Sequence, residues 1–326
     1  MTGRSFGRRG VGLILRVVAT AMLVAAVFWL VDWRAALEAA RGADPLWLAA
    51  ALLCVIGARV TITIRWALLL AASGRRLPFR RLFAIVSAGF GLGALIPTSI
   101  GPDIARGWLL HAEATGRDGP GGGLETTVSS VMLDRYISTL GTLIVGVGGA
   151  LALGQFWATA GLTAALAALL LIAVGLLVAA EPAIRRLTPG PLERLRPKLA
   201  ALVAAFHTPG LLRRGAGPAT LVAVGTALCR VAVFLCIYRA LGWPVPVALA
   251  CLAIPLTLIA MMIPVTLGGF GVRELMLVAS FEGVGVPAAV SVTAGVLFFA
   301  LLMLASLPAT VSVLLPRRRG VDKAAS

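Results

Sequence analysis

The sequence predicts an all-α polytopic membrane protein, with about six spanning helices and two re-entrant helical hairpins in an inverted-repeat arrangement. Three observations predict it. Of 326 residues, 60% are hydrophobic and 13% charged, about half the charged share of an ordinary soluble domain. The apolar residues come in long unbroken runs rather than in alternation, which suits helices and not barrel strands. Finally, a stretch of eleven residues that breaks an apolar run with proline, glycine and arginine occurs twice.

Six runs are long enough to cross about 30 Å of hydrocarbon: residues 11–31, 46–72, 124–153, 158–180, 218–241 and 288–315. The first resembles a signal peptide, but it is too long for a typical cleaved one and ends in FWLVDW rather than in small residues. It reads as a retained helix with Phe28, Trp29 and Trp33 as interfacial anchors. Two further apolar pieces, 82–96 and 247–263, stop at a proline and a turn.

Charge orients these runs. Cytoplasmic loops collect Lys and Arg. Arg4, Arg8 and Arg9 put the N-terminus in the cytoplasm. Arg75, Arg76, Arg80 and Arg81 do the same for the second connection, and so do the seven basic residues from Arg185 to Arg214 for the third. Arg317, Arg318, Arg319 and Lys323 place the tail there as well. The mixed-sign segment DWRAALEAARGADP is an outside loop. These assignments require residues 82–123 to enter the membrane and return to the cytoplasmic side, and 242–287 to enter and return from outside. The expected organisation is one transmembrane domain over 1–326: a first half (about 11–180), a cytoplasmic linker (181–217), a second half (218–315) and a basic tail (316–326). The net charge of +16 lies in clusters beside apolar runs, the pattern of loops facing an anionic leaflet. A nucleic-acid partner is therefore not expected.

Each re-entrant segment carries one copy of the repeat. IPTSIGPDIAR runs over 96–106 and IPVTLGGFGVR over 263–273. Ile96 and Ile263, Pro97 and Pro264, Gly101 and Gly268, and Arg106 and Arg273 are identical in register; Ser99 and Thr266 are conservative. Proline stops a helix, Ser or Thr can cap the next one, and glycine lets backbone approach a ligand. Free N–H groups at such a break favour an anion, and a nearby arginine can grip phosphate with two donors. Charges inside spans pair or line a cavity. Asp103, Asp134, Arg135, Glu274 and Arg65 therefore join Gly269 and the motif residues as candidate head-group ligands. Asp134 and Arg135 are adjacent on one helix and do not face each other, so separate partners are expected. Arg65 is also placed to snorkel towards the cytoplasmic interface. Arg59 and Arg230 stand deeper in their runs.

The remaining motifs read blandly. GFGLGA at 89–94 lacks the strand and spacing of a dinucleotide loop and reads as helix packing, as do Gly141, Gly146, Gly148 and Gly149. Cys54, Cys229, Cys236 and Cys251 sit inside apolar runs as packing residues. His111, with Asp103 and Glu113, is too sparse a set for a metal. No cofactor is expected, and no catalytic constellation marks an enzyme.

RWALLLAASG (65–74), LIPTSIGPDIARGWLL (95–110), SSVMLDRY (129–136) and IPVTLGGFGVRE (263–274) together resemble the lysylphosphatidylglycerol synthase transmembrane, flippase-like family, over roughly 11–315. The resemblance implies movement of a charged or glycosylated lipid, a phospholipid or a polyprenyl-linked one, between leaflets of a bacterial-type cell membrane. It departs from the family at Pro102 and Leu275, which leaves the lipid open. Some members carry a soluble aminoacyl-transferring domain; with eleven residues after the last run, none is expected here. A membrane enzyme acting on a lipid head group, or a non-transporting partner of a separate lipid-modifying enzyme, are the alternatives. A homo-oligomer stays open.

Overall fold

The computed structural model describes residues 33–72, 74–93, 101–115, 124–154, 215–262, 269 and 271–314. The expected spans at 11–31 and 158–180, most of the linker and the tail lie outside these residues. Every described element is helical.

A short helix, α1 (Trp33–Arg41), precedes the long α2 (Pro45–Ala72). The mixed-sign outside loop is thus partly helix. Its apolar residues Ala39 and Ala43 pack on the main core, which offsets the weak helix tendency of so short a segment. Asp44 caps α2 by accepting from the Leu46 N–H at 2.8 Å. Next come α3 (Phe79–Gly93) and α4 (Gly101–Thr115), then α5 (Leu124–Ala152). α3 begins just after Pro78, a residue suited to a helix start, so Arg80 and Arg81 lie in its first turn rather than in a loop. The second half repeats the order with α6 (Gly217–Ala240), α7 (Val247–Ala260), α8 (Val272–Phe281) and α9 (Ala288–Leu314). A single turn of 3-10 helix, Glu282–Val284, follows α8.

Lengths separate the spanning helices from the hairpins. α2, α6 and α9 have 28, 24 and 27 residues, at least about 36 Å each at 1.5 Å per residue. Within α5, residues Ser130–Ala152 are apolar enough to span. α3 and α4 have 15 residues each, about 22 Å, and α7 and α8 have 14 and 10. These four are too short to cross a bilayer singly. α3 and α4 run antiparallel: a Cβ on Gly93 would meet Pro102, and one on Gly89 would meet Arg106. α8 likewise returns beside α7, where Gly269 lies under the Met261 side chain. Each half is therefore long helix, helical hairpin, long helix.

The halves interlock. α2 and α6 cross antiparallel: the Asp44 N–H donates to the Ala240 carbonyl at one end, and Thr226 Oγ1 donates to Thr61 Oγ1 towards the other. The closing helix of each half packs on the first hairpin arm of the other half. α5 lies against α7, with Gly149 on Leu252 and Gly146 on Pro255; α9 lies against α3, with Thr310 on Gly91. Most of the predicted packing glycines thus sit at helix contacts, but Gly148 has nothing within 4 Å and plays no packing part.

The two largest buried clusters lie one at each hairpin. One gathers Val55, Phe234, Tyr238, Ile254, Leu277, Phe281 and Phe298 around the second hairpin. The other gathers Ile62, Trp66, Leu82, Val86, Leu110 and Val131 around the first. Leu53, Leu221, Leu228 and Leu307 project outward from the spans, as lipid-facing residues do. Lipid tails are as apolar as leucine, so close small-residue packing, rather than burial from water, holds such helices together.

Candidate functional site

The first hairpin brings three charged helices to one point. α2 contributes Arg65, α4 contributes Asp103 and Arg106, and α5 contributes Asp134 and Arg135. Gly89 lets α4 approach α3 closely enough to aim Arg106 inward: a Cβ there would stand 2.9 Å from Arg106 Cβ. Pro102 occupies the first turn of α4, where its missing N–H has no helical partner to lose.

Asp134 is the hub. Its carboxylate accepts from Arg65 Nε at 2.6 Å and Nη2 at 3.1 Å, and from Arg106 Nη1 at 2.7 Å. Asp103 accepts from Arg106 Nη2 at 2.9 Å and also from Arg135 Nη1. Asp134, Arg65 and Arg106 are 1%, 2% and 4% exposed, so neither buried arginine snorkels. The Arg135 side chain is 25% exposed and opens the network to its surroundings. As their adjacency required, Asp134 and Arg135 have different partners. Trp66 lies beneath the Arg106 guanidinium, 5.1 Å from ring centre to Cζ, and its indole N–H donates to Ser130 Oγ at 3.4 Å.

Two further arginines belong here. Arg230, midway along α6, interacts electrostatically with Arg65, Arg135, Asp134 and Asp103. Arg59, one turn and a half before Arg65 on α2, stands within reach of Arg230. It donates to Ser306 Oγ at 2.8 Å and to the Leu302 carbonyl at 3.2 Å, and stacks on Phe90 at 3.9 Å. In the sequence both appear only as deep charges. The α2–α6 crossing is what adds Arg230 to the site.

The second motif forms a different kind of pair. Arg273 donates to Glu274 Oε1 through Nε at 2.9 Å. Glu274 Oε2 accepts from the Gly271 N–H at 2.7 Å, capping the N-terminus of α8, where a negative charge is favoured. Gly271 has φ +82°, a conformation that suits glycine. The Arg273 guanidinium faces Phe298 and Phe299 at 5.8 and 5.9 Å. Gly295 on α9 makes room for the pair: a Cβ there would meet Glu274 Oε1 at 3.0 Å and Arg273 Nε at 3.3 Å. Arg106 and Arg273 are therefore held in separate ion pairs. α5 connects the two regions. Thr139, one turn beyond Arg135, bonds the Arg135 carbonyl and contacts Met262 Sδ at 3.7 Å, immediately before the second motif. Gly101 starts α4 and Gly269 lies by α7. Pro97, Ser99, Pro264, Thr266 and Gly268 lie outside the described residues.

Helices long and apolar enough to span, paired short helices and a charged network set among apolar ones define, over the described residues, a multi-pass membrane protein. Within that class, the family model for the lysylphosphatidylglycerol synthase TM region matches residues 13–309. The chain belongs to this family, a membrane family related to lipid handling. No curated protein matches it.

Proposed function

We propose that the protein is a flippase-like transporter that moves a charged or glycosylated phospholipid, or a polyprenyl-linked lipid, between the leaflets of the cell membrane. The observation that carries this reading is the network in which the buried Arg65 and Arg106 and the partly exposed Arg135 meet Asp103 and Asp134, at the start of the second arm of a hairpin too short to cross. Buried charge at membrane depth is rare and marks a substrate path. Broken helices beside it are tolerated where backbone lines a cavity, as in transporters built from inverted repeats. In this reading Asp103 and Asp134 orient the arginines, Arg106 and Arg135 meet the head-group phosphate, and the Arg273–Glu274 pair serves the opposite face. Rocking of the halves alternates access.

Purified protein in liposomes carrying a fluorescent charged lipid tests this. Translocation with the lipid chemically unchanged is the expected result. A chemically altered lipid would replace this reading with a membrane enzyme, and activity only with a second protein would make the chain that protein's partner. Arg106→Ala or Arg273→Ala should reduce transport by at least about tenfold, the size of one lost charge-assisted bond, in protein that still inserts; unchanged transport in both removes the phosphate role.

The opposite entry of the hairpins has its own measurement. Single cysteines at 115–120 should label from the cytoplasm, and those at 283–286 from outside, with both termini cytoplasmic. Labelling of both sets from one side would sink the inverted arrangement.

A further inference from the structure

We infer that the head group recognised at this site is an anionic phosphate without a compensating ammonium, so that lipids with an aminoacylated or zwitterionic head group are rejected. The inference takes from the transport reading only the position of the lipid site.

It follows from which groups are saturated. Asp134 already accepts three N–H groups from two arginines, and Asp103 binds Arg106 and Arg135. Asp134 is buried and nearly filled, and each oxygen of Asp103 already faces a guanidinium, so a cationic head group would have to compete with two arginines at either carboxylate. The donors, by contrast, are in excess. Arg65 Nη1 and Arg106 Nε are buried and have no hydrogen-bond partner among the described residues. Arg230, half-buried on α6 and within electrostatic range of Asp103, Asp134, Arg65 and Arg135, makes no ion pair or hydrogen bond with any described residue. Among the described residues, four arginines thus stand against two aspartates, with Arg59 beyond Arg230.

The rest of the membrane-embedded sequence near the site holds few acids: Glu113 and Glu125 stand about two turns or more along α4 and α5 from Arg106 and Asp134. Residues 94–100 and 263–268, which carry the motif turns, hold no charge; the apolar run at 11–31 adds only Arg16, and that at 158–180 adds none. An uncompensated cation at membrane depth is unfavourable, and unmet guanidinium donors most favour an oxyanion that accepts two of them. An ammonium brought to the same place meets like charge. A phosphate monoester, with two negative charges, matches the excess better than a diester with one.

The test is binding, measured separately from transport. Full-length protein in detergent is titrated with tail-matched phosphatidic acid, phosphatidylglycerol, lysylated phosphatidylglycerol and phosphatidylethanolamine, and with a polyprenyl phosphate. The anionic lipids should bind at least about tenfold tighter than the lysylated and zwitterionic ones, roughly the effect of one charge-assisted bond. Phosphatidic acid against the polyprenyl phosphate distinguishes a glycerolipid from an isoprenoid source of the same group. Arg230→Gln should lose about tenfold in affinity for the anionic lipids with an unchanged melting temperature, and Arg230→Lys should keep most of it. Equal or tighter binding of the lysylated lipid overturns the inference, as does unaltered anion affinity in Arg230→Gln. Selective binding without translocation would overturn the transport reading and leave this one standing. Translocation blind to head-group charge would do the reverse.

Discussion

Asp134→Ala is expected to lower stability more than any other single change at the site. The substitution leaves Arg65 and Arg106, both nearly inaccessible, without the carboxylate they share. Removing one partner of a buried ion pair costs about 3–5 kcal/mol, because the remaining charge stays buried and unmet. Here one deletion strands Arg65 and leaves Arg106 with Asp103 alone. The expected result is a large fall in the thermal midpoint in a fixed detergent, with little monodisperse protein. Asp134→Asn keeps an acceptor and the side-chain shape, so it should fall between. Adding Arg65→Leu to Asp134→Ala should restore part of the loss, since the second change removes a stranded charge that the first created. A midpoint for Asp134→Ala equal to that of the wild type would mean that the network does not hold the helices.

Gly93→Ala should separate the arms of the first hairpin and carry the site with them. The added methyl would stand 2.3 Å from Pro102 N, 2.4 Å from Pro102 Cα and 2.7 Å from the Gly101 carbonyl carbon. All three are backbone atoms and cannot turn aside as a side chain would. Overpacking of this kind costs about 1–3 kcal/mol. The displaced turn is the first of α4, which holds Asp103 and lies one turn before Arg106, so the ion pairs to α5 should weaken too. Lipid transport should therefore drop by more than the loss of folded protein explains. Gly148→Ala is the matched control. It has open space around it and should be neutral or slightly stabilising, by up to about 1 kcal/mol from helix propensity. Equal behaviour of the two variants would show that close approach of the arms is not what the glycine supplies.

The contrast between these glycines shows what periodicity can and cannot tell. Gly141, Gly148 and Gly149 read alike in sequence, yet Gly149 lies under the backbone of Leu252 and Gly148 meets nothing. Which face of α5 meets α7 depends on how helices far apart in the chain cross. The charges behave the same way. That Asp134 and Arg135 need different partners follows from helix geometry alone, and the structure supplies Arg65 and Arg106 for one and Asp103 for the other. That Arg65 is buried rather than snorkelled does not follow, since its distance from the helix end allows both.

By itself, the sequence determined that this chain is helical and membrane-embedded, where the four described long helices begin and end, and that two short apolar helices are each followed by a second short helix rather than by a span. Those features rest on local quantities: the length of an apolar run against the thickness of a bilayer, the helix-breaking of proline, and the side on which arginines gather. Only the tertiary structure decided that the first motif's arginine joins a network across three helices while the second pairs with its own neighbour, and that Arg230 stands beside the first. These outcomes depend on the antiparallel α2–α6 crossing and on each closing helix packing against the other half's hairpin. Such contacts join residues more than a hundred positions apart, and no local pattern of residues encodes the angle at which their helices meet.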